Sequence, residues 1–191
     1  MSAGRVAATI ASLLCCLCGC ASHPHPDLTA IRAGWTGANT QDLTTPYFDP
    51  DVVAVIDPPL GWKQDPPKTT SDHIHKVWLS PSRDTAYGVI HFSMPFPVGP
   101  GLALGGFLDQ MKKTEGNANL LNRQDDPKLP GIRFEAEGGL YTIQANLMVD
   151  GWEGWAIYAG TLRGQIDPPD ELDMAQRARE YTKIGRPATG K

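Results

Sequence analysis

Beyond residue 20 the chain has no cysteine: all four, Cys15, Cys16, Cys18 and Cys20, fall among the first 20 of its 191 residues. The remainder forms no disulfide within itself and offers no thiol nucleophile, so whatever folds there stands on its hydrophobic core. Basic charge is scarce too, with 17 Lys and Arg against 21 Asp and Glu and a formal net charge of −4. Phosphate backbones are held through basic patches. The densest basic group, Arg177, Arg179 and Lys183 on an expected helix, reads as a solvated helix face, so no nucleic-acid partner is expected. No apolar run reaches the roughly 20 residues that a membrane-spanning helix needs. Catalytic signatures are missing as well. There is no Gly-x-Ser-x-Gly and no His-Glu-x-x-His. Gly99-Pro100-Gly101 with Gly105-Gly106 lacks the Gly-Lys-Ser/Thr ending that gives a phosphate loop its lysine and its magnesium-facing hydroxyl. That stretch reads as loop and helix entry. No catalytic residue and no cofactor are implied, and the chain is not expected to be an enzyme.

What the first 20 residues contain is an address. Arg5 is their only charged side chain, and an apolar core from Val6 to Leu17 follows. At roughly a dozen residues that core is too short to span, which fits a secretory signal rather than a permanent anchor. Its end, Leu17-Cys18-Gly19-Cys20, resembles the bacterial lipobox: Gly19 is small just before the cut, and Leu17 is apolar three positions before the cysteine. Cys18 stands where that pattern more often has alanine, serine or threonine. The resemblance implies a signal peptide over residues 1–19 and a Cys20 that carries a diacylglyceryl group, which makes the lipid bilayer the first partner. Plain secretion with cleavage nearby is the alternative. No polybasic stretch follows, so the acyl chains would anchor without electrostatic help. Ala21, rather than aspartate, favours the outer membrane if the organism has one; the expected localisation is the cell envelope.

Residues 20–50 read as a tether. Ser22-His23-Pro24-His25-Pro26-Asp27, Gly34, Gly37, Asn39 and Thr44-Thr45-Pro46 supply turn chemistry with little periodicity. Leu28, Ile31 and Trp35 sit at helical spacing and are consistent with a segment that docks on the domain instead.

Residues 51–191 read as one domain. Val52 to Ile56 is a short strand stopped by Asp57-Pro58-Pro59, and Asp65-Pro66-Pro67 is a second stop. Strands His73 to Ser80 and Thr85 to Phe96 flank the turn Pro81-Ser82-Arg83-Asp84 as a hairpin. Leu104, Phe107, Leu108 and Met111 then recur at i, i+3, i+4 and i+7, the signature of an amphipathic helix that ends near Gly116. Ile132, Phe134 and Ala136 alternate with charged residues, and Tyr141, Ile143, Ala145, Leu147 and Val149 alternate with mostly polar ones. Trp152 to Leu162 is apolar on both sides, so the three form an antiparallel meander with a central last strand. Asp167-Pro168-Pro169-Asp170-Glu171 starts a closing helix, with Leu172, Ala175, Ala178 and Tyr181 as its apolar stripe and Gly185-Arg186-Pro187 as its stop. The expectation is an α+β domain: a single antiparallel sheet of about six strands with helices packed on its faces.

This order, with Pro59-Leu60-Gly61-Trp62 after the opening strand, resembles the PsbP-like fold over about Val52 to Tyr181. The resemblance implies an α/β/α sandwich used mainly for binding and assembly, with bacterial lipoproteins among its members. It transfers no functional residue.

His73-Ile74-His75 is the one constellation suited to metal chemistry. Residues two apart on a strand share a side at about 6.5 to 7 Å, a spacing that two ligands of a transition metal can use. A four-residue turn pairs Ser80 with Thr85. That puts His73 opposite Phe92 and His75 opposite Ile90, and leaves His91 on the other face with Ile74. Asp72 and Asp84 remain as possible carboxylate ligands. Two readings stay open: strand histidines within apolar packing, or a metal-binding protein or metal-dependent enzyme built on His73 and His75. Asp125-Asp126 and Glu135 with Glu137 read as exposed turn and strand carboxylates. Trp152 and Trp155 read as core and covered face. The function expected is therefore a membrane-anchored envelope lipoprotein that binds an envelope protein or a small ligand without catalysis.

Overall fold

The computed structural model describes residues 43–70, 72–126, 131–164 and 169–185. The leader, Cys20, Asp167-Pro168 and the segment with Leu28, Ile31 and Trp35 lie outside the described residues.

Two sheets form where one of about six strands was expected. The larger has eight strands. Towards one edge lies the hairpin of β5 (His73–Leu79) and β6 (Thr85–Ser93). The four-residue turn sets its register as expected, with His73 opposite Phe92, Ile74 opposite His91 and His75 opposite Ile90. From β6 the chain crosses through helix α1 (Pro100–Glu115) to the far edge. It returns by hairpins through β7 (Ala118–Asp126), β8 (Gly131–Gly138), β9 (Tyr141–Asp150) and β10 (Glu153–Leu162), until β10 pairs antiparallel with β6. On the other side of β5 the edge is broken. β3 (Lys63–Gln64) and β4 (Lys68–Thr69) pair with its two ends, because Pro66 and Pro67 between them lack the N–H that a continuous ladder requires.

The smaller sheet consists of β1 (Tyr47–Asp49), β2 (Ala54–Ile56) and β11 (Lys183–Ile184), with β2 in the middle. Leu43 bridges to Pro59, so Leu43 and β1, within the stretch read as tether, pair into the fold.

Each face of the large sheet is covered by a helix. On one side Ile90, Phe92, Ile143, Leu147, Ala156 and Tyr158 meet Leu104, Phe107 and Met111 of α1 in one apolar cluster. On the other, Trp78, Tyr87, Val89, Ile157 and Ala159 meet Ala175 and Ala178 of helix α2 (Pro169–Tyr181), together with Val52, Ala54 and Ile56 of the small-sheet region. Burial of each large side chain contributes roughly 1.5 to 3 kcal/mol. α1 packs over β7, β8 and β9 and α2 mainly over β10 and β6; β6 and β10 place side chains in both apolar clusters, which explains why both are apolar on both sides. Gly99 precedes α1, Pro100 opens it, and Gly116 closes it at φ +79° with its N–H on the Lys112 carbonyl. α2 carries Asp170 and Glu171 in its first turn, at the positive end of its dipole.

Two glycines shape the α1 side. Gly88 lies opposite Tyr158 and Gly154 opposite Phe92, and a Cβ at either would stand 2.3 Å from the partner's ring. Each ring therefore lies flat over its glycine. For Tyr158 the consequence is reach: its hydroxyl crosses β6 and meets β5.

Candidate functional site

The side chains that carry potential chemistry gather on β5 and its neighbours, separated into two groups by the sheet. On the α1 side, His73 and His75 are both buried. His73 Nδ1 lies 2.7 Å from Thr70 Oγ1, and that hydroxyl donates to Asp72 Oδ1 at 2.6 Å. Since the Thr70 proton is committed to Asp72, the hydroxyl accepts from His73 Nδ1–H. His75 Nε2 is 2.8 Å from the Tyr158 hydroxyl. Complete burial, with the charges of Lys68 and His73 adding to it, pulls the His75 pKa down to about 3, so its ring stays neutral at ordinary pH. His73 Nε2 and His75 Nδ1 are buried with no hydrogen-bond partner among the described residues.

His91 is on the opposite face and cannot complete a ligand set with them. Asp84 lies past the other end of β5, and Asp72 is occupied by Thr70 and stands 3.5 Å from His73 Nδ1. Among the described residues no three His, Cys, Asp or Glu side chains are grouped to hold a metal ion.

On the α2 side the polar groups bind one another. His91 Nε2 is 2.7 Å from Glu153 Oε2, its ring stacks on Trp155 with centroids 4.9 Å apart and planes at 9°, and Nδ1 faces the Asp51 carbonyl at 3.3 Å. Ser93 donates to the Glu153 carboxylate at 3.2 and 3.3 Å. A serine hydroxyl bonded to the carboxylate rather than to the imidazole is not arranged as a nucleophile with its base. Trp155 Nε1 donates to the Val52 carbonyl at 2.9 Å.

Next to it, Lys76 Nζ contacts Asp49 at 2.8 and 2.6 Å and Asp51 at 2.7 Å. Burial pulls the Lys76 ammonium down, but the hydrogen bonds and charges of Asp49 and Asp51 outweigh it and its pKa ends above the ordinary lysine value. These contacts hold the turn between β1 and β2, where Val53 adopts φ +49°, a conformation costly for a β-branched residue. The group is a latch for the small sheet. Further along, Asp57 is buried with neither carboxyl oxygen hydrogen-bonded among the described residues, and burial raises its carboxyl to about 6.

The remaining sequence candidates serve structure. The glycine-rich stretch is the entry of α1. Asp125 pairs with Arg123 at 3.0 Å on the exposed edge strand, while the side chain of Asp126 lies outside the described set. Glu137 pairs with Arg163. Trp155 is core, whereas Trp152 belongs to the turn before β10 rather than to the strand. Arg177 and Arg179 are less solvated than a free helix face, with side chains 20% and 11% exposed, and they pair with Asp173 and Glu180.

Sequence reasoning missed Lys76, Asp49, Glu153 and Tyr158. A lysine inside the run His73 to Leu79 and a glycine inside the β6 run were the available signals, the first for an ion pair and the second for a close approach.

No family model matches the chain, and no curated protein does. Among solved structures it is similar to the solution structure of cyanobacterial PsbP (CyanoP) from Synechocystis sp. PCC 6803, with a TM-score of 0.55 at 14% identity, over 79% of this chain and 97% of that one. A crystal structure from Bacteroides thetaiotaomicron VPI-5482 matches with a TM-score of 0.39 at 13% identity, over 76% of this chain and 50% of that one. The first likeness is one of fold: the domain has a PsbP-like architecture of sheet between helices.

Proposed function

We propose that this chain is a lipid-anchored protein of the cell envelope whose PsbP-like domain acts as a non-catalytic binding or assembly module. The observation that carries the reading is the condition of its histidines: His73, His75 and His91 are all buried, and each is bonded within the packing. No described helix is long and apolar enough to cross a membrane, and Cys20 supplies the attachment in this reading. Cys20→Ser is expected to abolish incorporation of an alkyne-labelled palmitate analogue and to move the protein from the membrane to the soluble fraction. Labelling that survives the substitution would sink the anchor.

The two ring nitrogens of His73 and His75 that have no hydrogen-bond partner among the described residues favour a second reading, a metal site. Elemental analysis of the purified full chain separates the two. The binding-module reading expects zinc and copper well below one equivalent; one equivalent that disappears in His73→Gln would establish the metal site instead.

A further inference from the structure

The α1 side of the domain holds a second feature, not lined by the histidines: a cavity of about 280 Å³ between the end of β6, the loop that follows it and the first half of α1. Its walls are Phe92, Met94, Phe96, Leu102, Phe107 and Leu147. Two of these are unusually bare for their size, Phe96 at 54% and Leu102 at 63% exposure. Asp109 is the only charged side chain in the lining, and it forms no ion pair or hydrogen bond with another described residue. Lys112 and Lys113 lie a turn further along α1 and do not line the cavity.

The helix is cut away at this point. Leu102, Gly105, Gly106 and Asp109 fall on one face of α1 at i, i+3, i+4 and i+7. A glycine inside a helix costs about 1 kcal/mol relative to alanine. A Cβ at Gly105 would meet nothing within 4 Å, so packing within the domain does not require the glycine. Its effect is to keep the cavity open.

From this geometry we infer a small-molecule site for an amphiphile with a single apolar chain and a cationic head. A dry cavity of about 150 Å³ accepts benzene, so this one suits roughly ten carbon atoms. Binding pockets of this kind are mostly apolar with a few placed polar groups. Here the placed group is the Asp109 carboxylate at the rim, which attracts an ammonium and repels an acyl carboxylate. The inference rests on the binding-module reading and gives it a ligand class.

Two probes with the same chain and opposite heads, decyltrimethylammonium and decanoate, test it. They are titrated by calorimetry below their micellar concentrations into the full chain carrying Cys20→Ser, so that no lipid or detergent competes. The cationic probe is expected to bind at least tenfold more tightly than decanoate. Asp109→Asn brings the two within about threefold, and Gly105→Leu removes both without lowering the thermal midpoint. If Gly105→Leu does not fold, Leu102→Gln on the exposed rim takes its place and is expected to weaken both probes. Equal affinity for the two heads, no binding of the cationic probe, or binding unchanged in Gly105→Leu or Leu102→Gln overturns the site. None of these outcomes touches the acylation of Cys20, so failure of the pocket and failure of the anchor are told apart.

Discussion

Replacement of Lys76 by methionine is expected to cost about 3 to 5 kcal/mol of folding stability, the range seen when one member of a buried ion pair is removed and the other is left without its counter-charge. Asp49 is the group that suffers: its side chain is 6% exposed, whereas that of Asp51 is 60% exposed and can be hydrated. Asp49 also accepts the backbone N–H groups of Asp51 at 3.0 Å and Val52 at 3.4 Å. These bonds give the prediction a second arm. With Asp49→Asn added to Lys76→Met, the amide oxygen keeps the two N–H bonds while the buried charge is gone, so the double variant is expected to recover more than half of the loss. Urea denaturation at neutral pH measures both. A cost below about 1 kcal/mol in Lys76→Met would show that the latch does not hold the turn. Amide exchange at Val52, whose neighbour Val53 is kept at positive φ by these contacts, should accelerate in parallel.

The contrast between what the sequence revealed and what it hid follows from the range of each interaction. The hairpin register could be read because a turn of four residues fixes every pair after it, and that register separated His91 from His73 and His75 before any coordinates. The meander could be read because alternation reports burial on one face. β7 could not. As the outer strand it is largely exposed and runs Asn119-Leu120-Leu121-Asn122-Arg123-Gln124, with a register shift between Leu120 and Asn122, so neither period appears. In the small sheet β2 falls within the short apolar run Val52 to Ile56 that reads as a strand, but β1 and β11, three and two residues long, are too short for any period. Nor could the partners of the buried charges be found. Lys76 lies 27 residues from Asp49 and Tyr158 lies 83 from His75; the first pairing is set by how the small-sheet strands fold back over β5 and the second by the crossing through α1 and the return through β7 to β10, and no local pattern encodes either. The result was a sound reading of strands and faces, a sheet too small, and a candidate site whose fixation by Thr70, Asp72 and Tyr158 was unseen.

The same buried groups set the pH dependence of the fold, and two of them act in opposite directions. His75 has its pKa pulled from 6.5 down to about 3. Below pH 6.5 the unfolded chain takes up a proton that the folded chain refuses, so stability falls as pH drops from 6.5 to about 3. At about 1.4 kcal/mol per unit, that amounts to about 5 kcal/mol. Asp57 is raised from 3.8 to about 6. Between those values the unfolded chain releases a proton that the folded chain keeps, so this group costs stability as pH rises, by about 3 kcal/mol in full. Their slopes nearly cancel between about pH 4 and 6, and His75 acts alone between about pH 4 and 3, where a steep loss is expected. Two variants separate the contributions in urea melts from pH 3 to 8. Asp57→Asn should be more stable than the parent at pH 7 by up to about 3 kcal/mol, and its stability should climb steadily from pH 3 to 6.5. His75→Leu is combined with Tyr158→Phe, so that no tyrosine hydroxyl is left unpartnered; it should lose the steep acid limb and show stability declining from pH 4 to 6. Difference profiles against the parent remove the contribution of the other carboxylates. If both differences are flat, neither burial controls the proton affinity assigned to it, and the neutral His75 at the centre of the candidate site would have to be reconsidered.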